Sequence, residues 1–331
     1  MPIPPGMRLP VFPDIPGQRG LATSWQLRQH GWSYSAMSSL VSGPGQRVLP
    51  RVYLPHRQPV DDDDLIVAGW LWAGRDTILT GAGALARHGI DIGKPGPITR
   101  YLTKRDARNR EANHGMELRR SRRLPRGIVR NDVPTVPVER ALVDAARFKE
   151  ASPGTLTGWT MTALQKKLTL PDRVDAEVTA SGWLGLGAIT RGCTAFRRGA
   201  WSVPEATLIQ LVEEDERFPR MLANPRLEDA VTHQFVGIPD GYFPEEGVAV
   251  QVHSRQFHEG EDEDGHDRWA STVETDNTYA PYGIPVVGVV PKTLVTVPDR
   301  FLDNLAATLA AHRGREPRRV RVVEPGAVRQ I

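Results

Sequence analysis

The longest apolar-rich stretch of this chain runs only from Leu65 to Ala73. A helix that crosses a bilayer needs roughly 20 consecutive apolar residues, so no stretch reads as a membrane span. Apolar side chains must instead be covered by a protein core assembled from short elements. Apolar residues make up 40% of the chain and charged residues 24%, a balance that supports a folded core rather than disorder. With 331 residues the chain exceeds one ordinary domain of about 100 to 200 residues, and two or three domains are expected. The single cysteine, Cys193, excludes an internal disulfide framework and argues against a cysteine-based zinc site. No nucleophile signature surrounds it, and it reads as an inert thiol. The opening residues, MPIPPGMRLP, lack the apolar core of a signal peptide, so a cytoplasmic, reducing setting is expected. The formal net charge of +3 is too small to name a partner by itself; what matters is where the charges sit.

Short-range signals divide the chain. Thr23 or Ser24 is a natural N-cap for a helix through Trp25–His30, and Gly31 closes it. Ser33 caps a second helix with Ala36, Met37, Leu40 and Val41 on one face. Residues Arg47–Leu54 read as a hairpin. Two short helices and a hairpin are the order of a winged helix-turn-helix, with Arg47, Arg51 and Arg57 as its flanking cations. The acidic run Asp61–Asp64 leads a helix over Leu65–Trp72, where negative charge favours the helix start. Thr77–Gly89 reads as a turn and a helix, and Ile98–Val129 as strands. Val138, Leu142, Val143 and Ala146 make the apolar stripe of a helix over Val136–Phe148. Helices with breaks at Pro171 and at Gly182–Gly187 follow. A helix opens at Pro204-Glu205. Strands are expected at Tyr242-Phe243, Val248–Val252 and Ile284–Val290, and a last helix over Phe301–His312.

The densest cationic run is Arg119-Arg120-Ser121-Arg122-Arg123. Several phosphate contacts from Arg119, Arg120, Arg122 and Arg123 would give salt-dependent binding to DNA. Tyr101 is the one aromatic residue near this run, so no base-stacking platform is expected. Trp70, Trp72, Trp159 and Trp183 read as core or interface residues. The histidines His253, His258 and His266 with the acidic stretch Glu259–Asp264 read as solvated surface.

From Gly20 to about Arg147 the chain resembles the AbiEi-type antitoxins of bacterial abortive-infection systems. The resemblance rests on the helix–helix–hairpin unit, on Ala84-Leu85-Ala86-Arg87-His88-Gly89, and on Val136-Pro137-Val138-Glu139-Arg140-Ala141-Leu142-Val143-Asp144. It implies an N-terminal DNA-binding domain used in transcriptional autoregulation, then a domain that suppresses a nucleotidyltransferase-type toxin. DNA and a toxin protein are the partners it implies. One departure is plain. A recognition helix usually offers Arg, Lys, Asn or Gln, whereas the second helix here, Ser33–Ser42, holds no cation.

From Ser202 to about His312 the chain resembles the very-short-patch repair endonucleases and the wider PD-(D/E)XK superfamily. That pattern is a helix-borne Glu, an Asp entering a strand, an acidic pair on the next strand, and a His. Here Glu205, Asp240, Gln251, His253 and His258 occupy those places. Phosphodiester hydrolysis calls for a hard cation, which wants anionic oxygen ligands. Asp240 suits Mg or Mn; the amide of Gln251 and the imidazole of His253 suit Mg less well. Two readings stay open. The site is degenerate and the fold survives as a binding module, or Asp240 holds Mg or Mn while His253 or His258 acts as general base, oriented by Glu205. The expected fold is α/β and multi-domain: a Pro-rich arm and winged helix-turn-helix over residues 1–58, a mixed α+β domain over 59–199, and a restriction-endonuclease-like α/β domain over 200–331.

Overall fold

The computed structural model describes residues 9–94, 96–104, 110–112, 115–253, 277–315 and 319–323. His258, His266 and Glu259–Asp264 lie outside the described residues. The fold mixes helices with several sheets and forms two compact units, Met1–Thr190 and Arg191–Ile331.

The first unit opens with β1 (Ala22–Thr23), α1 (Ser24–Gln29), α2 (Tyr34–Ser42), β2 (Gln46–Leu49) and β3 (Val52–Leu54). Thr23 caps α1 in a capping box: its hydroxyl accepts from the Gln26 N–H, and Gln26 Oε1 accepts from the Thr23 N–H at 2.8 Å. Ser33 caps α2 through the Ala36 N–H. Leu27, Trp32, Ala36, Met37 and Leu40 form one buried cluster with Ala22 of β1, in a small sheet of order β1-β3-β2. The same cluster takes in Leu9, Phe12 and Ile15 of the Pro-rich start.

The helix α3 (Asp62–Ala73) begins with a second capping box, between Asp61 and Asp64. Then come β4 (Ile78–Thr80), α4 (Gly81–Arg87), β5 (Thr99–Thr103), β6 (Arg110–Ala112), β7 (Met116–Arg120), β8 (Ile128–Arg130) and β9 (Val133–Thr135). They make a six-stranded sheet of order β6-β7-β5-β4-β9-β8. The segment Thr77–Thr80, expected as a turn, is corrected here. Ile78–Thr80 is a central strand, antiparallel to β5 and parallel to β9, with all three residues buried. Three residues are too few to show alternation, and burial on both faces erases it. The helix α5 (Val138–Arg147) packs against α4, α6 (Pro153–Gln165) and α7 (Pro171–Ser181). Cover on several sides buries Arg140 and Asp144 along with Val138, Leu142 and Val143 of the apolar stripe. The expected break at Pro171 separates α6 from α7: the proline begins α7 in the first turn, where its missing N–H costs nothing.

The second unit begins within α8 (Gly187–Arg197), and α9 (Val203–Glu214) follows. The strands β10 (Leu222–Ala223), β13 (Gly241–Phe243), β14 (Val248–Val252) and β15 (Val286–Val289) form a sheet in that order. The strands β13 and β14 are an antiparallel hairpin, and β15 runs parallel to β14. Alternation sorts the two faces. Val248 and Val250 of β14, with Val287 and Val289 of β15, share a core with Leu208 of α9 and with Leu294 of α10 (Pro291–Thr296). Phe301, Leu302 and Leu305 of α11 (Pro298–His312) complete it. Tyr242 and Ala249 fall in a second cluster with Tyr279 and Ile284. That cluster includes Leu227 of β11 (Arg226–Asp229) and Val236 of β12 (Phe235–Gly237), in a separate sheet of order β12-β11-β16, where β16 is Val320–Val323. Cys193 is a buried thiol.

Candidate functional site

The sequence-predicted residues fall in three places. Arg47 and Arg51 are exposed on the β2–β3 hairpin, and Arg51 takes φ 66° at its turn. Arg57 is spent internally: its Nη2 donates to the Val41 carbonyl at 2.6 Å, near the end of α2.

The second place is the end of the β13–β14 hairpin in the second unit. Gly241 pairs with Val250, so Asp240 and Gln251 stand across from each other just beyond the last pair of that ladder. Asp240 Oδ2 accepts from the Val252 N–H at 2.6 Å. Gln251 pairs with Gly288 of β15, and the His253 N–H donates to the Val289 carbonyl at 2.8 Å. A Cβ on Gly288 would meet His253 Nε2 at 2.8 Å, so the glycine leaves the space that the imidazole occupies. Asp240, Gln251 and His253 thus gather on one face, as the odd and even positions of the two strands require.

Glu205 is linked to this neighbourhood through Asn224. Its carboxylate accepts from the Trp201 N–H at 2.7 Å, the Ser202 hydroxyl at 2.7 Å and Asn224 Nδ2 at 2.8 Å. The Asn224 N–H in turn donates to the Asp240 carbonyl at 3.2 Å. Glu205 is buried in the first turn of α9, where Ser202 is the N-cap and accepts from the Glu205 N–H. Among the described residues the donor set does not fit a resident Mg or Mn. Such an ion wants several anionic oxygens. Here Glu205 is committed to three donors, Gln251 is neutral, and Asp240 already holds an amide. Among the described residues no group of three or more His, Cys, Asp and Glu is arranged to hold a metal ion.

The third place is a cleft in the first unit, about 650 Å³ in volume. Arg119 and Arg120 come from the end of β7, Arg122 and Arg123 from the turn after it, and Arg140 and Arg147 from α5. Buried groups fix that turn. Arg140 Nε donates to Asp144 Oδ2 at 2.8 Å, and the Thr80 hydroxyl donates to the same oxygen at 2.6 Å. The other end of the guanidinium donates to the Arg123 carbonyl at 3.1 Å and to Ser121 Oγ at 3.3 Å. Ser121 Oγ closes the turn by donating to the Arg123 carbonyl at 2.8 Å. Arg140 is therefore a brace that aims Arg122 and Arg123 outward. Carboxylates offset part of the charge: Glu117 pairs with Arg119, and Glu177 with Arg123 at 2.6 Å. Six guanidinium groups, those of Arg119, Arg120, Arg122, Arg123, Arg140 and Arg147, still stand against the carboxylates of Glu117, Asp144 and Glu177.

The cleft also contains an aromatic that the sequence places elsewhere. Trp183, read as core or interface, is 47% exposed and so is not a core residue, and its exposure has a local cause. Gly182 ends α7 in the left-handed region at φ 62°, which turns the chain so that the next side chain faces the cleft. The Trp183 N–H then donates to Ser181 Oγ at 3.2 Å. Arg147 lies over the indole ring, 4.7 Å from its centroid. Arg140, Arg147 and Trp183 were missed because they join Arg119–Arg123 only through tertiary packing. Their one local signal is the Gly182–Gly185 break.

No family model matches the chain, and no curated protein matches it. No helix among the described residues is long and apolar enough to cross a membrane.

Proposed function

We propose that the chain is a DNA-binding regulator of the AbiEi-antitoxin kind that grips phosphates in the arginine cleft and carries a nuclease-shaped unit without hydrolytic activity. The observation that carries this is the cleft: arginines from one strand end, one turn and one helix converge on a concave surface, with a buried brace beneath them. Phosphates neutralised by such a set release counterions, and this gives affinity with a strong salt dependence. The nuclease-like resemblance supports DNA as the polyanion. The donor set around Asp240 supports the reading of that unit as a binding scaffold. The α2 surface lacks cations, so any contact of the N-terminal helices with DNA would add hydroxyl donors and the hairpin's Arg47 and Arg51.

The test is fluorescence anisotropy with labelled oligonucleotides, on wild type and on Arg122→Glu/Arg123→Glu. Wild type is expected to bind, and the double variant to lose most of its affinity. Equal binding by both proteins would remove the cleft from the proposal. A plasmid-nicking assay with Mg²⁺ and with Mn²⁺ runs beside it. Metal-dependent nicking that disappears in Asp240→Ala would overturn the non-hydrolytic half and make the chain an endonuclease.

A further inference from the structure

The structure points to a more specific ligand for this cleft, and we infer that it holds nucleic acid with an unpaired base, the base stacking on Trp183 while arginines hold the adjoining phosphates. This inference rests on the proposal that the cleft binds nucleic acid and names the form it takes.

The first observation is what the α7–α8 connection exposes. Gly182 and Gly185, at φ 62° and φ 90°, flank Trp183 and Leu184. Trp183 is 47% exposed and Leu184 94% exposed. Two large apolar side chains held together at a glycine-bounded tip leave area in water that a partner would cover. The second observation is what stands beside them. Trp183 lines the same cleft as Arg119, Arg120, Arg122 and Arg123. The ligand that satisfies both must be flat and apolar in one part and polyanionic in the next. A base with its neighbouring phosphates has that composition. The third observation is Arg147, whose guanidinium lies 4.7 Å from the indole centroid. It holds the ring in place and adds charge to the stack, the combination through which single strands are gripped without reading sequence.

A paired base offers only its edge to a protein, because its faces are stacked within the duplex. Stacking on Trp183 therefore selects single strands, or a base displaced from its pair. The cleft volume, about 650 Å³, falls within the range of roughly 300 to 1,000 Å³ typical of ligand sites. A rival occupant is an anionic membrane surface, since tryptophan, leucine and arginine also meet lipid headgroups. The geometry favours nucleic acid. Arg140 is 7% exposed at the base of a concave site, and a strand can enter such a site more readily than a flat surface can.

The test measures anisotropy with a labelled mixed-sequence single strand and its fully paired duplex, on the full chain. The proteins are wild type, Trp183→Ala, Trp183→Phe and Arg122→Glu/Arg123→Glu. Vesicles of phosphatidylglycerol and phosphatidylcholine, with phosphatidylcholine alone as control, are run in a flotation assay. The expected result is tighter binding of the single strand than of the duplex, weakened about tenfold by Trp183→Ala, the order of loss for one base–aromatic stack, and largely restored by Trp183→Phe. Equal affinity for both forms, unchanged in Trp183→Ala but lost in the arginine variant, overturns this inference and leaves the phosphate-binding proposal standing. No binding of either form by wild type overturns both. Flotation with phosphatidylglycerol that Trp183→Ala abolishes, with no tryptophan effect on oligonucleotides, assigns the tip to membranes instead.

Discussion

Arg140 and Asp144 lie buried together on α5, where two charges cost more to desolvate than they return unless their hydrogen bonds are complete. Here they nearly are. Asp144 Oδ2 accepts from Arg140 and from Thr80, and Arg140 spends its remaining donors on the Ser121–Arg123 turn. Removing Asp144 takes away the 2.8 Å carboxylate partner of Arg140 Nε and leaves the longer 3.5 Å contact with Glu177. Asp144→Ala is therefore expected to destabilise the first unit by about 3 kcal/mol, the low end for breaking a buried pair, measured by urea denaturation. Thr80→Val, which removes one neutral donor, should cost nearer 1 kcal/mol. A loss for Asp144→Ala no larger than for Thr80→Val would mean that water reaches the pair. A second residue-scale prediction concerns His88. Its Nε2 lies 2.8 Å from the Val136 carbonyl, and burial holds its pKa below the usual histidine value. The unfolded chain then takes up a proton at this residue more readily than the folded chain does. Its contribution to stability falls as pH drops through the ordinary histidine range toward the lower folded pKa. Burial pushes the Glu150 carboxyl the other way, up, so its contribution improves on acidification. Comparing wild type with His88→Gln cancels that opposing effect. The stability advantage of wild type should shrink from about pH 7.5 to about pH 5.5, on either side of the ordinary value near 6.5. A difference that stays constant across that range would exclude a titrating His88.

At the scale of elements, α3 lies close over the six-stranded sheet because one residue on it has no side chain. A Cβ on Gly69 would meet the Tyr101 hydroxyl at 2.5 Å and Met116 Sδ at 2.7 Å. Tyr101 is fully buried, and its hydroxyl donates to the Ile66 carbonyl of α3 at 2.7 Å. Gly69→Ala would raise helix propensity, which alone favours the helix by roughly 1 kcal/mol. The clash should reverse that sign and give a net loss of about 1 to 3 kcal/mol, read from the thermal midpoint and the urea midpoint. A net gain would show that α3 can lift from the sheet at no cost. Elements such as α1, α2 and α3 were legible in the sequence because Thr23, Ser33 and Asp61 signal within three residues of the helix each begins. The strand at Val248–Val252 and the last helix were legible for a similar reason, in their own apolar runs. Strands β4, β11 and β12 were not. Each has three or four residues, and its identity comes from partners distant in sequence, such as Val320–Val323 for β11. The candidate sites divide in the same way. Asp240 and Gln251 belong to neighbouring strands and could be paired from the turn between them. The bond of Glu205 to Asn224 at the start of α9 could not, nor could the placement of Trp183 beside Arg119–Arg123.

For the molecule as a whole, a net charge of +3 gives little long-range attraction for a polyanion. Binding must then depend on where cations are gathered, and two groups compete for the role: the cleft, and the hairpin bearing Arg47 and Arg51. Salt titration separates them. The slope of log affinity against log salt changes by about 0.9 for each duplex phosphate contact and about 0.7 for each on a single strand. Arg122→Glu/Arg123→Glu and Arg47→Glu/Arg51→Glu alter the net charge equally, so a whole-molecule charge effect would weaken binding equally in both. If phosphates sit in the cleft, the first variant should flatten the slope by the equivalent of about two contacts, and the second should leave it close to that of wild type. The reverse outcome would move the interface to the hairpin, as a winged helix would have it. The slope is the better measure here because a change in affinity alone does not distinguish a lost contact from a weakened fold. Arg122→Glu alone should also keep the urea midpoint of wild type, since Arg122 is exposed on the turn, whereas Arg123→Glu would set its carboxylate against Glu177.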